Sequence, residues 1–76
     1  MGKWNVRILK KHYSNGEVEL FAAEAYYRDD STTPHGWMKL HVCGDSIEDL
    51  KFYADEIVKA CNKPILEVDN EGNWLE

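Results

Sequence analysis

Five residues of this chain carry side chains that commonly bind metals: His12, His35, His41, Cys43 and Cys61. No two are spaced as in a zinc finger or at i,i+4 on a helix. Only His41 and Cys43 share one face of a strand, and two ligands fall short of the four that a structural zinc takes. The expected metal and cofactor complement is therefore none. Nucleophilic chemistry is no better served. Ser14 falls in a turn, Ser31 in a loop and Ser46 at a helix start, and none occupies the strand-to-helix elbow that presents a catalytic serine. No pair of glycines is close enough to form a phosphate-cradling loop. Asp29-Asp30 has the groups for cation binding or proton exchange, but adjacent acids in a polar loop read more simply as a solvated pair. These absences predict a protein that is not an enzyme.

The elements that would position any site follow from the apolar pattern. Trp4, Val6 and Ile8 alternate with Asn5 and Arg7 in the run from Trp4 to Tyr13, a period of two that marks a strand with one buried face. Asn15-Gly16 then separates it from a second β-rich run, Glu17 to Tyr27. Asn-Gly at this place predicts a two-residue type I′ hairpin. That turn fixes a register in which Trp4 faces Tyr27, Val6 faces Ala25, Arg7 faces Glu24 and Leu9 faces Ala22. Residues 28–36 are polar, contain Pro34 and Gly36, and read as a loop. Trp37 to Cys43 alternates again as a third strand. Asp45 with Glu48, or Ser46 with Asp49, fits a capping box at the start of a helix. Ile47, Leu50, Ala54, Ile57 and Cys61 form its apolar stripe. Asn62, taken as a left-handed cap, and Pro64 end it. Ile65 to Val68 is a short fourth strand, followed by a polar tail that closes on Trp74.

The order β-β-β-α-β predicts an α+β two-layer sandwich: a four-stranded, mostly antiparallel sheet in the order 3-2-1-4 with one helix on one face. At 76 residues the chain has room for a single domain, taken as residues 3–74. Met1-Gly2 and Leu75-Glu76 resemble restriction-site scars. A domain near this size buries only about 60% of its unfolded surface, so a thin core is expected.

Charge narrows the partners. The chain carries nine basic and fourteen acidic side chains, a net charge of −5, and four of the basic ones (Lys3, Arg7, Lys10 and Lys11) fall in the first eleven residues. An acidic body argues against nonspecific nucleic-acid binding, because that requires many Lys and Arg against phosphates. The basic strand is expected to pair with the acidic strand beside it. No apolar run approaches the roughly 20 residues of a membrane span. Two cysteines, far apart and on apolar segments, read as free core thiols in a reducing cytoplasm.

One helix covers only one face of the sheet. With the Trp4/Val6/Ile8 face beneath it, the register leaves Leu9, Tyr13, Leu20 and Tyr26 on the other, ringed by Arg7, Lys11 and Glu24. An aromatic, apolar patch of this kind marks a partner surface, unless a homodimer or the C-terminal tail covers it.

The chain also resembles a group of short, uncharacterised bacterial proteins. The residues that carry this resemblance are Trp4-Asn5-Val6-Arg7, Tyr26-Tyr27, Pro34-His35-Gly36-Trp37, Gly44 to Leu50, and Lys63 to Leu66. The sequence departs from the group at Ala22-Ala23-Glu24-Ala25 and at residues 30–33. The group has no assigned activity, so the resemblance implies no site. The element order and the Gly-Asp-Ser-x-Glu-Asp-Leu helix start are similar to HicB-type antitoxins, which have a partial ribonuclease-H-like fold. That similarity implies a protein that binds and blocks a small toxin. The carboxylate that ribonuclease H carries on its first strand is absent here, and no DNA-binding segment fits beside the domain.

Two functions are therefore expected. The first is a non-enzymatic protein-binding module, inhibitor- or antitoxin-like, acting through a sheet face or edge, with an acidic helix side (Glu48, Asp49, Asp55, Glu56) suited to a basic partner. The second is a small-ligand or anion-binding domain using Arg7, Lys11 and the neighbouring aromatics.

Overall fold

The computed structural model describes residues 3–29 and 31–75; Asp30, and so the Asp29-Asp30 pair as a unit, lies outside the described residues, as do Met1-Gly2 and Glu76. Strands β1 (Lys3–His12), β2 (Val18–Tyr27), β3 (Gly36–Lys39) and β4 (Leu66–Val68) and helix α1 (Ile47–Cys61) follow in the order β-β-β-α-β. The sheet runs β3-β2-β1-β4, with β1 parallel to β4 and the other pairs antiparallel. This is the α+β architecture and strand order expected from the sequence.

The hairpin register is not. Lys3 pairs with Tyr27, Trp4 with Tyr26, Arg7 with Ala23 and Leu9 with Phe21, one residue away from the type I′ register. The turn supplies the reason. Gly16 N–H donates to the Tyr13 carbonyl at 3.0 Å and Tyr13 N–H to the Glu17 carbonyl at 2.8 Å, so the loop has three residues, not two. A type I′ turn needs positive φ at both central residues. The three-residue loop needs it at one, and that one is Gly16, with φ +91°. Asn15 keeps a negative φ and accepts the Glu17 N–H on its Oδ1 at 2.9 Å. The hairpin thus avoids placing a side chain in the left-handed region.

A one-residue shift moves the whole of β2 to the other face relative to β1. Odd-numbered residues of both strands now share one face, and even-numbered residues share the other. On the odd face, fully buried Leu9, Ala23 and Val68 form the core, with Phe21, Trp37, Leu66 and Trp74 packed against them. No helix residue belongs to this cluster. Instead the tail covers it. Asp69 Oδ1 accepts the N–H groups of Glu71 and Asn73, each at 2.9 Å, and Trp74 bridges back to Val68. The indole N–H of Trp37, on the far edge strand, donates to the Gly72 carbonyl at 2.9 Å, so the tail reaches across the face. Burying Leu9 alone contributes roughly 1.5–3 kcal/mol.

Helix α1 packs against β1. Val6, 2% exposed, and half-buried Ile8 lie on the even face, and Ala60 is the fully buried helix residue. Ser46 is the N-cap: its Oγ accepts from Asp49 N–H at 3.2 Å, while Asp49 Oδ2 accepts from Asp45 N–H at 3.0 Å. At the other end Asn62 is not left-handed, with φ −95°; its amide Nδ2 donates to the Val58 carbonyl at 3.1 Å and closes the helix that way. Strand β3 stops at Lys39, short of the expected Cys43. From there the chain leaves one edge of the sheet and crosses to the other through α1; Leu40 N–H still donates to the Ala22 carbonyl of β2 at 3.0 Å, but Val42 lies exposed beyond the strand. Cys43 and Cys61 are free thiols, and both are exposed, not core residues.

Candidate functional site

The register divides the seven residues expected to form one patch. Arg7, Leu9 and Lys11 lie on the odd face of β1, and Tyr13 follows them at the strand end; Leu20, Glu24 and Tyr26 lie on the even face of β2. Leu9 is 0% exposed, so it is core and not surface. The expected Arg7–Glu24 neighbours point to opposite faces. The single patch is therefore not assembled, and the C-terminal tail takes the place of the expected cover.

Tyr13 joins a local polar chain. Its hydroxyl donates to Glu19 Oε1 at 2.9 Å, and Lys39 Nζ donates to Glu19 Oε2 at 3.1 Å. The Tyr13 bond, then the Lys39 bond, holds the Glu19 carboxyl below its ordinary value, and the same bond raises the Tyr13 phenol. Lys11 lies over the Tyr13 ring at 5.1 Å and Lys39 over the Phe21 ring at 4.8 Å. Lys11 thus sits beside Tyr13 and does not line the cleft that holds Arg7. His12 meets Glu67 at 2.6 Å. Among the described residues no three His, Cys, Asp or Glu side chains cluster as metal ligands.

Two features stand out from this well-paired background. The first is a stretch of chain: every residue from 41 to 52 is exposed. It includes Val42, Ile47, Leu50 and Phe52, and it takes in the first six residues of α1. Of the apolar stripe expected to pack on the sheet, Ile47, Leu50, Ala54 and Cys61 are exposed and Ile57 alone is half-buried, so most of it has no cover among the described residues. The burying line of the helix is instead Tyr53, Glu56, Ile57 and Ala60, which begins a turn and a half later. Asp45, Glu48 and Asp49 border the apolar residues of this arm. Leu20, Val18 and Met38 are also exposed on the even face of β2 and β3, where the helix does not reach.

The second feature is a cleft of about 390 Å³ where the start of β1, the loop after β2 and the end of α1 come together. Lys3, Asn5 and Arg7 line it from β1, with Tyr27, Ser31 and Lys63 opposite. Arg7 is anchored there: Nη1 donates to Tyr27 Oη at 3.2 Å and Nη2 to the Pro64 carbonyl at 2.7 Å. Sequence reading singled out Arg7 and missed Lys3, Asn5 and Lys63. The signal for the first two was present, since Lys3, Asn5 and Arg7 alternate onto one strand face. Lys63 arrives only through the helix crossover, which nothing local announces.

No family model matches the chain, and neither a curated protein nor a solved structure is significantly similar to it. Among the described residues, no helix is long and apolar enough to cross a membrane.

Proposed function

We propose that this chain is a small, non-enzymatic protein-binding module, inhibitor- or antitoxin-like, that receives a basic protein partner on the arm of residues 41–52. The observation that carries the reading is the unbroken exposure of that arm, with Ile47 at 62% although it opens an amphipathic helix. A domain with so thin a core gains by burying apolar residues, and leaving four of them in water on one segment favours association. The acidic border selects the partner. Asp45, Glu48 and Asp49 would face their own copies across an isologous interface between two such arms, in a chain of net charge −5. Like charges at an interface rim are costly and opposite ones speed and orient encounter, so a basic surface fits better than a second copy. The seven-residue patch on the hairpin has no part in this reading.

The test is capture from cells of the source organism with the chain and with an Ile47→Ser/Leu50→Ser double variant. The reading expects one stoichiometric basic protein on the wild-type chain, lost from the variant, while the two melt alike. Retention of the same protein by the variant would overturn it. Sedimentation of the wild-type chain alone should show a monomer.

A further inference from the structure

Cations without counter-ions gather at one place in an otherwise acidic chain. Lys3, Arg7 and Lys63 all line the cleft at the start of β1, and among the described residues no carboxylate lines it. The ion pairs among the described residues engage His12, Lys39 and Lys59, and none engages these three. Both Arg7 partners, the Tyr27 hydroxyl and the Pro64 carbonyl, are neutral, so the guanidinium is fixed in place with its charge uncompensated.

A second observation converges on the same place. The polar side-chain atoms found buried without a hydrogen-bond partner among the described residues are Asn5 Oδ1 and Arg7 Nε, and both belong to residues of this cleft. Buried polar atoms in folded proteins almost always have a partner; these two have none, and being buried they become available to a ligand only where the cleft wall yields slightly. Arg7 Nε–H is a donor. The Asn5 amide can present a donor as well, since a half-turn exchanges its oxygen and nitrogen. The Thr32 hydroxyl adds a short-range donor on the loop side, whereas the Ser31 hydroxyl already donates to the Thr33 carbonyl at 2.8 Å.

We infer that this cleft binds a small organic phosphate. Three positive charges, one of them the anchored Arg7 guanidinium, match a dianion better than a single carboxylate, and charge-assisted bonds from Lys and Arg are the strong ones. The volume of about 390 Å³ exceeds what a bare phosphate fills and lies in the range of small-molecule sites. Trp4, also on the cleft wall and 46% exposed, offers a ring face to the remainder of the ligand. The site shares no residue with the arm at 41–52 and stands independently of the protein-binding reading.

Titration of the ¹⁵N-labelled full chain at low ionic strength, with phenyl phosphate, inorganic phosphate and sulfate as separate probes, tests it. Saturable shifts are expected at the Trp4 indole N–H and at the Ser31, Thr32 and Lys63 amides. Phenyl phosphate should bind more tightly than inorganic phosphate, and sulfate no more tightly than phosphate. Lys3 and Lys63 are exposed and unpaired, so Lys3→Gln/Lys63→Gln should melt like the wild type and bind phenyl phosphate about tenfold more weakly. Lys63→Gln alone should give an intermediate loss. Shifts that do not saturate, that scatter over the surface, or that persist unchanged in either variant would overturn the inference.

Discussion

The odd face of the sheet and the arm at residues 41–52 hold the same kinds of side chains and meet opposite fates. On the odd face Leu9, Ala23 and Val68 are wholly buried because Trp37 and Trp74 close over them and the Asp69 turn fixes the tail in place. On the arm Val42, Ile47, Leu50 and Phe52 stay in water because none of the described elements lies opposite. Residue type alone does not decide burial in a domain this small. What decides it is whether a second layer is available, and here the tail supplies one face while the helix supplies half of the other.

The sharpest way to break the comparison is to weaken the sealed side. Leu9→Ala should cost about 2–5 kcal/mol, enough to unfold much of so small a domain, as read by thermal melting. A variant that melts like the wild type would mean that Leu9 is not core. The tail can be loosened next. A Cβ at Gly72, where φ is +86°, would come 3.2 Å from Trp37 Cζ2, whereas at Gly16, φ +91°, it would meet nothing within 4 Å. Both Gly→Ala variants strain the backbone by about 1–2 kcal/mol, but only Gly72→Ala also presses on the tail closure. Gly72→Ala should therefore melt below Gly16→Ala, and equal melting would remove the closure from the account.

Acid should act on the sealed side too. The backbone N–H of Asn73 foremost, with those of Glu71 and Gly72, holds the Asp69 carboxyl below its ordinary value. A lowered folded-state value means that the stability Asp69 contributes is complete above the unfolded carboxylate range and is lost as pH falls through the lowered value. Thermal stability should hold from neutrality down to about pH 4 and fall below it, and Asp69→Asn should be less stable at neutral pH with a shallower acid decline. An unaltered acid profile in that variant would contradict the role of the turn. Least of all should stability respond on the arm: Ile47→Ser/Leu50→Ser should change it by less than about 0.5 kcal/mol.

Much of this was legible in the sequence. The alternation of Trp4, Val6 and Ile8, the Asn15-Gly16 turn, and the Ser46–Asp49 cap locate three elements, and chain direction then leaves little choice of topology. The register was not legible. Two-residue and three-residue loops both use Asn-Gly, and what separates them is whether Asn15 must adopt positive φ. Because both faces of β1 carry apolar residues, neither register is excluded by pattern alone, and the surface patch drawn from the wrong one dissolves. The covering tail was one of the alternatives the sequence offered, and its signal is Asp69 and Gly72, which bracket a turn that sends Trp74 back over the core. The cleft was half visible, in the alternation of Lys3, Asn5 and Arg7, while Lys63 joins it only through tertiary structure.

Native-state hydrogen exchange on the chain alone tests the central contrast most directly, because it reads the opening of each segment separately. Amides of residues 51–54, where the arm runs into the body of α1, should open locally, well ahead of Leu9 and Ala23, which should exchange only on global unfolding, and neither rate should depend on protein concentration. Protection of 51–54 at the level of Leu9, growing as the chain is concentrated, would show that a second copy already covers the arm and would contradict the account.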